Sequence, residues 1–267
     1  AVAAASDPGG GHRWLASPEA VLDYLREAGA LPCFGKPVHG SQGIGAVRLE
    51  GWEDHDRLRL GDGRTVAAGD LVAEIQQKYS EGFLFTEIVH PHPELTRLIG
   101  PVIGTLRVVT LDAGAGPEVL YAVLKTPAPG AMVDSAAGPL GGFASIDLAS
   151  GRVLREQDRR QMGGQDIEAN KTTGRTIAGE TLPDFAAALD HARAAHSSLG
   201  EYGILGIDIL LSDHGPLVNE ANANPHHSVY QIAMARGVLN PDFLPRLLAV
   251  RARFRAVTPR PKHCPLK

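Results

Sequence analysis

An α+β fold built on antiparallel sheets is the architecture that the sequence predicts. Strand-like and helix-like segments intermix along the chain, without the strict alternation that is typical of a doubly wound parallel sheet. Two pairs of apolar strands are each separated by a short turn, at residues 113–116 and 212–215. Connections as short as these join antiparallel neighbours.

The elements of the first half follow from local signals. A helix begins after Ser17, because a serine N-cap followed by proline is a typical helix start, and Gly29 ends it. Strands are predicted at residues 33–38, 46–49 and 82–89, and a helix at residues 70–78. The opening residues lack a starting Met and a basic signal-peptide region, so we expect that an N-terminal stretch precedes them.

The second half is richer in strands. Apolar runs predict strands at residues 105–111, 119–126, 143–148, 204–211 and 216–221. A helix is predicted after the cap at residues 182–184 as far as residue 199, and two more at residues 227–236 and 241–254.

The composition is that of a globular protein and excludes several classes. The length of 267 residues suits one large domain or two packed ones. Hydrophobic residues make up 43% of the chain, enough to form a sizeable core. A formal net charge of −4 argues against a protein that coats nucleic acid or an anionic membrane. No apolar run approaches the ~18 residues that cross a bilayer. Two cysteines, Cys33 and Cys264, are too few for a disulfide scaffold, which favours the cytoplasm.

A glycine-rich loop follows a strand that ends in a lysine. After Lys36, the segment 37–45 contains three glycines before the chain returns as a strand. Glycines let backbone N–H groups approach an anion closely, and the lysine adds a positive charge beside it. The loop is no Walker A motif, because Pro37 follows the lysine and a strand follows the loop. Phosphate binding and a plain solvated hairpin both fit the segment.

Acidic and amide side chains interrupt two otherwise apolar strands. Asp208 lies in the first strand, and Glu220 and Asn222 lie two residues apart in the second. Residues i and i+2 of a strand share a face, and the hairpin can bring Asp208 beside them. Two carboxylates and an amide oxygen are ligands that suit Mg²⁺. The alternative is a polar strand face without a metal.

These signals, in this order, resemble the ATP-grasp superfamily, and within it the sugar-transfer-associated ATP-grasp family. The likeness is carried by residues 34–37 with the glycine loop, residues 92–95 followed by 105–110, and residues 206–208 with 220–225. The resemblance implies an α+β ATP-grasp fold that holds the nucleotide between two mainly antiparallel β-sheets with flanking helices. It also implies a linker and helix at 1–29, a small lid subdomain at 30–90, and a large subdomain with the metal site at 91–267.

The resemblance also assigns roles to individual residues. The nucleotide contacts it implies are Lys36 on the α/β-phosphates, Ser41, Gln42, Gly43 and Gly45 in the closing loop, Glu87, Ile88 and Val89 in the adenine hinge, and Glu94 on the ribose. Arg107 would face the γ-phosphate, and Lys125 on the neighbouring strand would be a further phosphate contact. Asp208, Glu220 and Asn222 would hold two Mg²⁺ ions, with Mn²⁺ as a substitute.

The implied reaction is an ATP-dependent ligation. ATP phosphorylates a carboxylate, an amine or a thiol attacks the acylphosphate, and ADP and phosphate are released. The partners would be small-molecule or peptide carboxylates and amines of a biosynthetic pathway, with no nucleic acid and no membrane, and the oligomeric state stays open. The walls of the acceptor pocket are expected to come from the strand after Lys125, residues 138–142 and residues 224–228. Two alternatives are a kinase that phosphorylates an alcohol or sugar, and a non-catalytic ATP-binding module.

Other candidates are weaker. His90 and His92 have metal-like spacing, but the prolines beside them indicate a rigid turn. Cys33 lies on an apolar strand, which predicts a buried, inert thiol. His226 and His227 are expected to cap the next helix or to line the acceptor pocket.

Overall fold

The structure, a computed structural model, describes residues 1–4, 12–40, 43–134, 141–158 and 165–257. It divides into two compact units. The first comprises Ala1–His90 and Ala128–Pro139, and the second comprises Pro91–Pro127 and Leu140–Lys267. Within the described residues, no helix combines the length and the apolar character that a membrane span requires.

The first unit is built on a seven-stranded sheet. Its elements are β1 (Val2–Ala3), β2 (Trp14–Leu15), α1 (Pro18–Arg26), β3 (Cys33–Pro37), β4 (Val47–Trp52), β5 (Arg57–Leu60), β6 (Thr65–Ala67), α2 (Ala68–Lys78) and β7 (Phe83–Thr86). The strand order is β2-β1-β7-β3-β4-β5-β6. The pair β1–β2 is parallel, and the other neighbours are antiparallel.

One face of this sheet forms the core of the unit with its helices. Leu49 and Phe83 from the sheet are buried in one cluster with Val21 of α1 and Val72 of α2. Side chains alternate along a strand, so the strand β3 places Cys33 on this core side and Lys36 on the opposite face. The core side thus anchors the strand that carries the lysine.

The second unit is built on a six-stranded antiparallel sheet. Its elements are α3 (Pro93–Ile99), β8 (Thr105–Leu111), β9 (Glu118–Thr126), β10 (Gly142–Ile146), β11 (Val153–Asp158), α4 (Phe185–Ser198), β12 (Ile204–Ser212), β13 (Gly215–Asn222), α5 (Ser228–Met234) and α6 (Leu244–Val257). The strand order is β11-β10-β9-β8-β12-β13.

This sheet carries a hydrophobic core on each of its faces. Val108 and its neighbours pack with residues of α3 and α4, whereas Val109 packs on the other face with residues of α5 and α6. Every residue of β8 is buried as a result. On the face that carries Val109, β8 is apolar at residue 109 and polar from residue 107 towards the N-terminal end of the strand.

The structure confirms the predicted α+β fold with mainly antiparallel sheets. The strands β8, β9, β12 and β13 begin and end within one or two residues of their predicted bounds. The sequence analysis missed β1, β2, β5, β6, β11 and α3, and the residues assigned to a linker and helix at 1–29 also contain two short strands. The strand predicted at 82–89 is shorter, since β7 ends at Thr86.

Gly35 gives a test of the packing in the first unit. A Cβ at this position would lie 2.6 Å from Cε1 of the buried Phe83 and 3.2 Å from Cγ1 of Val47. We expect Gly35→Ala to lower the free energy of unfolding by about 1–3 kcal/mol, as overpacked core substitutions do. Urea denaturation of the two proteins measures the difference.

Gly69 provides the matched control. It lies in α2, and a Cβ there would meet nothing within 4 Å. Gly69→Ala should therefore raise the free energy of unfolding by about 0.5 kcal/mol, because alanine loses less backbone entropy in a helix. Equal effects of the two substitutions would contradict the packing described for Gly35.

Candidate functional site

Charged side chains converge at the polar end of one face of the six-stranded sheet. Register places Asp208 of β12 directly opposite Arg107 of β8. The strand β9 pairs with β8 so that Val123 lies opposite Arg107, and Lys125, two residues further, shares that face. The predicted pairing of the Lys125 strand with the Arg107 strand is confirmed.

The edge strand β13 adds the other two predicted metal ligands. Glu220 lies opposite Asp208, and Asn222 lies opposite Gly206. The register shifts between Asp208 and Ile209, next to the candidate ligands, as bulges near functional sites often do. The Asn222 side-chain amide donates to Glu220 Oε1 at 3.1 Å and to the Gly206 carbonyl at 3.3 Å. The structure thus brings the three residues together on one face.

Arg107 and Asp208 form a buried bidentate ion pair. Arg107 is 6% exposed and Asp208 is 2% exposed. Arg107 Nε donates to Asp208 Oδ1, and Arg107 Nη2 donates to Oδ2 at 2.9 Å. Lys125 Nζ donates to the same Oδ2 at 3.2 Å. The guanidinium of Arg107 thus contacts Asp208, and its contact with the γ-phosphate, implied by the resemblance, stays a prediction.

Burial and charge act in opposite directions on both members of the pair. Burial alone would raise the pKa of Asp208, but the hydrogen bonds from Arg107 and the charge of Lys125 hold that pKa below its ordinary value. Burial alone would lower the pKa of Arg107, and the hydrogen bond and charge of Asp208 raise it instead. Both groups are therefore charged at neutral pH.

The turn after Asn222 is fixed to the sheet at two points. Arg107 Nη1 donates to the Pro225 carbonyl at 2.8 Å, and the hydroxyl of Tyr121 on β9 is hydrogen-bonded to His227 Nδ1 at 2.9 Å. Burial raises the pKa of Tyr121 and lowers that of His227, so both stay uncharged at neutral pH. Gly206 leaves room for this arrangement, because a Cβ there would lie 3.1 Å from Arg107 Cδ.

The donor set fits a divalent cation in chemical type. Asp208, Glu220 and Asn222 offer hard oxygen ligands, as Mg²⁺ requires. Within the described ranges, no group of three or more His, Cys, Asp or Glu residues could hold a metal ion, so the protein ligands here would be two carboxylates and the Asn222 amide oxygen. Asp208 already accepts hydrogen bonds from two cations. A metal ion would join or replace one of them.

The predicted phosphate loop belongs to the first unit. Lys36 lies on β3, and Gly43 and Gly45 follow in a turn where both have positive φ, +69° and +79°. A Cβ at Gly45 would collide with the Tyr79 hydroxyl, so glycine is required there on steric grounds as well. Ser41 and Gln42, the other two predicted loop contacts, lie outside the described residues.

The predicted hinge and ribose contact lie where the two units meet in sequence. Glu87, Ile88 and Val89 follow β7 without regular secondary structure. Glu94 lies in the first turn of α3 and forms an ion pair with Arg97, with 2.9 Å between Oε2 and Nε. Their predicted roles toward the nucleotide stay predictions.

The remaining candidates have structural surroundings. Cys33 is buried as predicted, and burial raises the pKa of its thiol to about 11. His92 accepts a hydrogen bond from the backbone of Glu94 and caps α3. Residues 138–140 of the expected acceptor loop and Cys264 lie outside the described ranges.

Sequence reasoning missed Tyr121 as part of this site. It included Gly206 and Pro225 in the stretches that carry the resemblance but gave neither an individual role. Tyr121 is an aromatic residue in an apolar strand and is read as core from its pattern. A signal was present for Gly206, since a glycine two residues before an acid in a strand indicates that another group passes close by.

The family profile identifies this chain as an ATP-grasp protein. The profile of the sugar-transfer associated ATP-grasp family matches residues 29–243. The chain belongs to this family. No curated protein matches the chain significantly.

The solved structures that are similar to this chain include the following two. D-alanyl-alanine synthetase A from Vibrio cholerae is 14% identical with a TM-score of 0.45, and the match covers 90% of this chain and 57% of that one. D-alanine–D-alanine ligase from Bacillus anthracis is 13% identical with a TM-score of 0.42, and the match covers 88% of this chain and 59% of that one. The chain thus spans somewhat over half the length of these enzymes.

The buried ion pair predicts a large cost for removing its cation. Arg107→Met leaves the Asp208 carboxylate buried with Lys125 as its remaining cation, so we expect the free energy of unfolding to fall by about 3–5 kcal/mol. Tyr121→Phe removes only a hydroxyl from the same face, and we expect a loss of about 1 kcal/mol. Urea denaturation at pH 7 measures both, and a loss below 1 kcal/mol for Arg107→Met would contradict the role of the pair.

Proposed function

We propose that this chain is an ATP-dependent carboxylate–amine ligase that acts through an acylphosphate on a small molecule or a peptide. One observation supports the proposal most strongly: in a member of an ATP-grasp family, Asp208, Glu220 and Asn222 share one sheet face with two cationic side chains. Phosphoryl transfer requires both kinds of group, ligands for a metal and cations for phosphate charge. A thiol could replace the amine as the nucleophile, with a thioester as the product.

Asp208, Glu220 and Asn222 are the residues that would hold Mg²⁺ in this proposal, as two ions by family resemblance, with Mn²⁺ as a substitute. A bound ion neutralises triphosphate charge and stabilises the charge that spreads over the transferred group. Arg107 fixes the orientation of the Asp208 carboxylate through its two hydrogen bonds. Lys125 supplies a positive charge beside it, with a partly exposed side chain.

The nucleotide contacts in the proposal rest on the family resemblance. Lys36 would neutralise the α/β-phosphates, and the turn at Gly43 and Gly45 would offer backbone N–H groups to them. Glu87, Ile88 and Val89 would hold adenine through their backbone, and Glu94 would bind the ribose hydroxyls. The Glu94 carboxylate already pairs with Arg97, so ribose binding would share it with that arginine.

The proposed reaction has two steps. A carboxylate oxygen of the first substrate attacks the γ-phosphorus, the bond from that phosphorus to ADP breaks, and an acylphosphate forms. The amine nitrogen of the second substrate then attacks the acyl carbon, the bond to the phosphate oxygen breaks, and the amine loses a proton to solvent or a base. Phosphate leaves far more readily than oxide, which is the chemical reason for the first step.

A kinase that phosphorylates an alcohol or a sugar is the second candidate. The family carries the description "sugar-transfer associated", and this description favours a hydroxyl-bearing acceptor. Such an enzyme would stop after the first transfer. A non-catalytic ATP-binding module is the third reading, and the full set of acidic and amide ligands argues against it.

Hydroxylamine separates these three functions. Purified protein with MgATP is screened against pooled carboxylates, amines and sugars for release of ADP. We expect release with a carboxylate pool, and a hydroxamate when hydroxylamine is added, because hydroxylamine attacks the acylphosphate. ADP without hydroxamate would indicate the kinase, and nucleotide binding without ADP in any pool would indicate the binding module.

Glu220 offers a sharper test of the metal ligands than Asp208 does. Asp208→Asn would also leave Arg107 and Lys125 without their carboxylate, whereas Glu220 is exposed and can be changed without such a loss. We expect Glu220→Gln to lower kcat for ADP release by about 10²-fold or more with an unchanged melting temperature. Asp213→Asn, in the turn of the same hairpin, is the matched control and should leave kcat within twofold. Retained activity in Glu220→Gln would remove Glu220 from the metal site.

A further inference from the structure

Two cations share one oxygen of the Asp208 carboxylate. Arg107 Nη2 lies 2.9 Å and Lys125 Nζ 3.2 Å from Oδ2, and Arg107 Nε holds Oδ1. A carboxylate has about four lone-pair positions, and three N–H groups already donate to the carboxylate of Asp208. A divalent cation that binds Asp208 therefore meets competition from side chains of the same chain.

The two cations differ in how they bind Asp208. Arg107 makes a two-bond fork to Asp208 and donates a third hydrogen bond to the Pro225 carbonyl, and its side chain is 7% exposed. Lys125 reaches Asp208 with one ammonium group on a flexible stem, and its side chain is 17% exposed. A planar, bidentate guanidinium is harder to displace than a point charge on four methylenes.

The formal charges of four residues on this face balance. Arg107 and Lys125 carry two positive charges, and Asp208 and Glu220 carry two negative charges. A divalent cation that arrives alone leaves an excess of positive charge around a carboxylate that is 2% exposed. When the divalent cation arrives bound to a triphosphate, the triphosphate supplies compensating negative charge. The displaced ammonium group of Lys125 can then bind a phosphate oxygen.

From these observations we propose that Lys125 competes with a divalent cation for Oδ2 of Asp208 and releases that oxygen when the cation binds. The inference rests on the proposed function, because it takes Asp208 as a metal ligand. Its consequence is that the site disfavours the metal ion alone and accepts it together with nucleotide. Lys125 would then act first as a counter-ion of Asp208 and afterwards as a phosphate contact.

The test uses Mn²⁺ alone as the probe, without nucleotide. Its binding to the full chain is measured by electron paramagnetic resonance of free Mn²⁺ or by water-proton relaxation. Lys125→Met removes the competing charge, and we expect it to bind Mn²⁺ about tenfold or more tightly than the wild type. Lys125→Arg keeps the charge and should stay within twofold of the wild type. Lys125→Gln serves as a second neutral variant should the Met variant fold poorly.

Two further variants control for net charge and for the place of binding. Lys78→Met removes an exposed lysine of α2 that pairs with Glu74, and it should leave Mn²⁺ affinity unchanged. In the double variant Lys125→Met with Glu220→Gln, the gain in affinity should disappear, since one of the ligands is lost. A gain that persists there would place the ion elsewhere and overturn the proposal.

The outcomes separate this inference from the proposed function. Equal or weaker Mn²⁺ binding by both neutral variants overturns the competition, and so does a gain of the same size in Lys125→Arg. Binding of MgATP to the wild type, measured by calorimetry, tests the proposed function instead. A wild type that binds no MgATP refutes the ligase, and the Mn²⁺ titration still decides on Lys125 because it needs no nucleotide.

Discussion

Asp208 carries a negative charge at a place where 2% of the residue is exposed, and such a charge is stable only when cations and donors surround it. Arg107 provides this environment from the neighbouring strand, because the β8–β12 register sets the two residues directly opposite each other. A slip of that register by one residue would place the two side chains on opposite faces of the sheet, one of them on the apolar face. The ion pair therefore ties the pairing of two central strands to the position of the candidate metal ligands.

Other features of the polar end depend on the same guanidinium. Gly206 must remain without a side chain, since a Cβ there would lie 3.0 Å from Pro225 Cα and 3.1 Å from Arg107 Cδ. Further along the same face, Val109 and Tyr121 pack under α5 and α6. The face thus passes from a covered apolar core to a charged surface within two residues of β8, and Arg107 lies at this boundary. The apolar core on one side of the Arg107 side chain and the charged Asp208 carboxylate on the other hold it in place.

The parts of the fold that the sequence predicts are those with strong periodicity or continuous apolar runs. The strand β11 was missed because Glu156 and Gln157 are polar yet buried, and Thr126 satisfies one Glu156 oxygen with a hydrogen bond of 2.5 Å. The helix α3 has only seven residues, too few for a helical period to show. The strand β5 alternates Arg and Leu, and its exposure alternates in the same way, so the period-two signal was present and was overlooked.

The sequence predicted which residues belong to the candidate site, but it did not predict the contacts between residues that are distant in the chain. Asp208, Glu220 and Asn222 could be grouped from local spacing and a hairpin. The partner of Asp208 could not, because Arg107 is 101 residues away and only the strand register brings it opposite. The family resemblance implies that Arg107 lies near phosphate, but it does not say which side chains of the protein the guanidinium contacts.

The turn that follows Asn222 connects the metal-ligand candidates to the segment expected at the acceptor pocket. Arg107 holds this turn at Pro225 and Tyr121 holds it at His227, and between them His226 has φ +52°, which is uncommon for a residue with a Cβ. Such a conformation persists where contacts on both sides impose it. A shift of the turn would move the Pro225 carbonyl, and with it the guanidinium that orients Asp208. The geometry of this turn and the orientation of the Asp208 carboxylate are therefore coupled through one side chain.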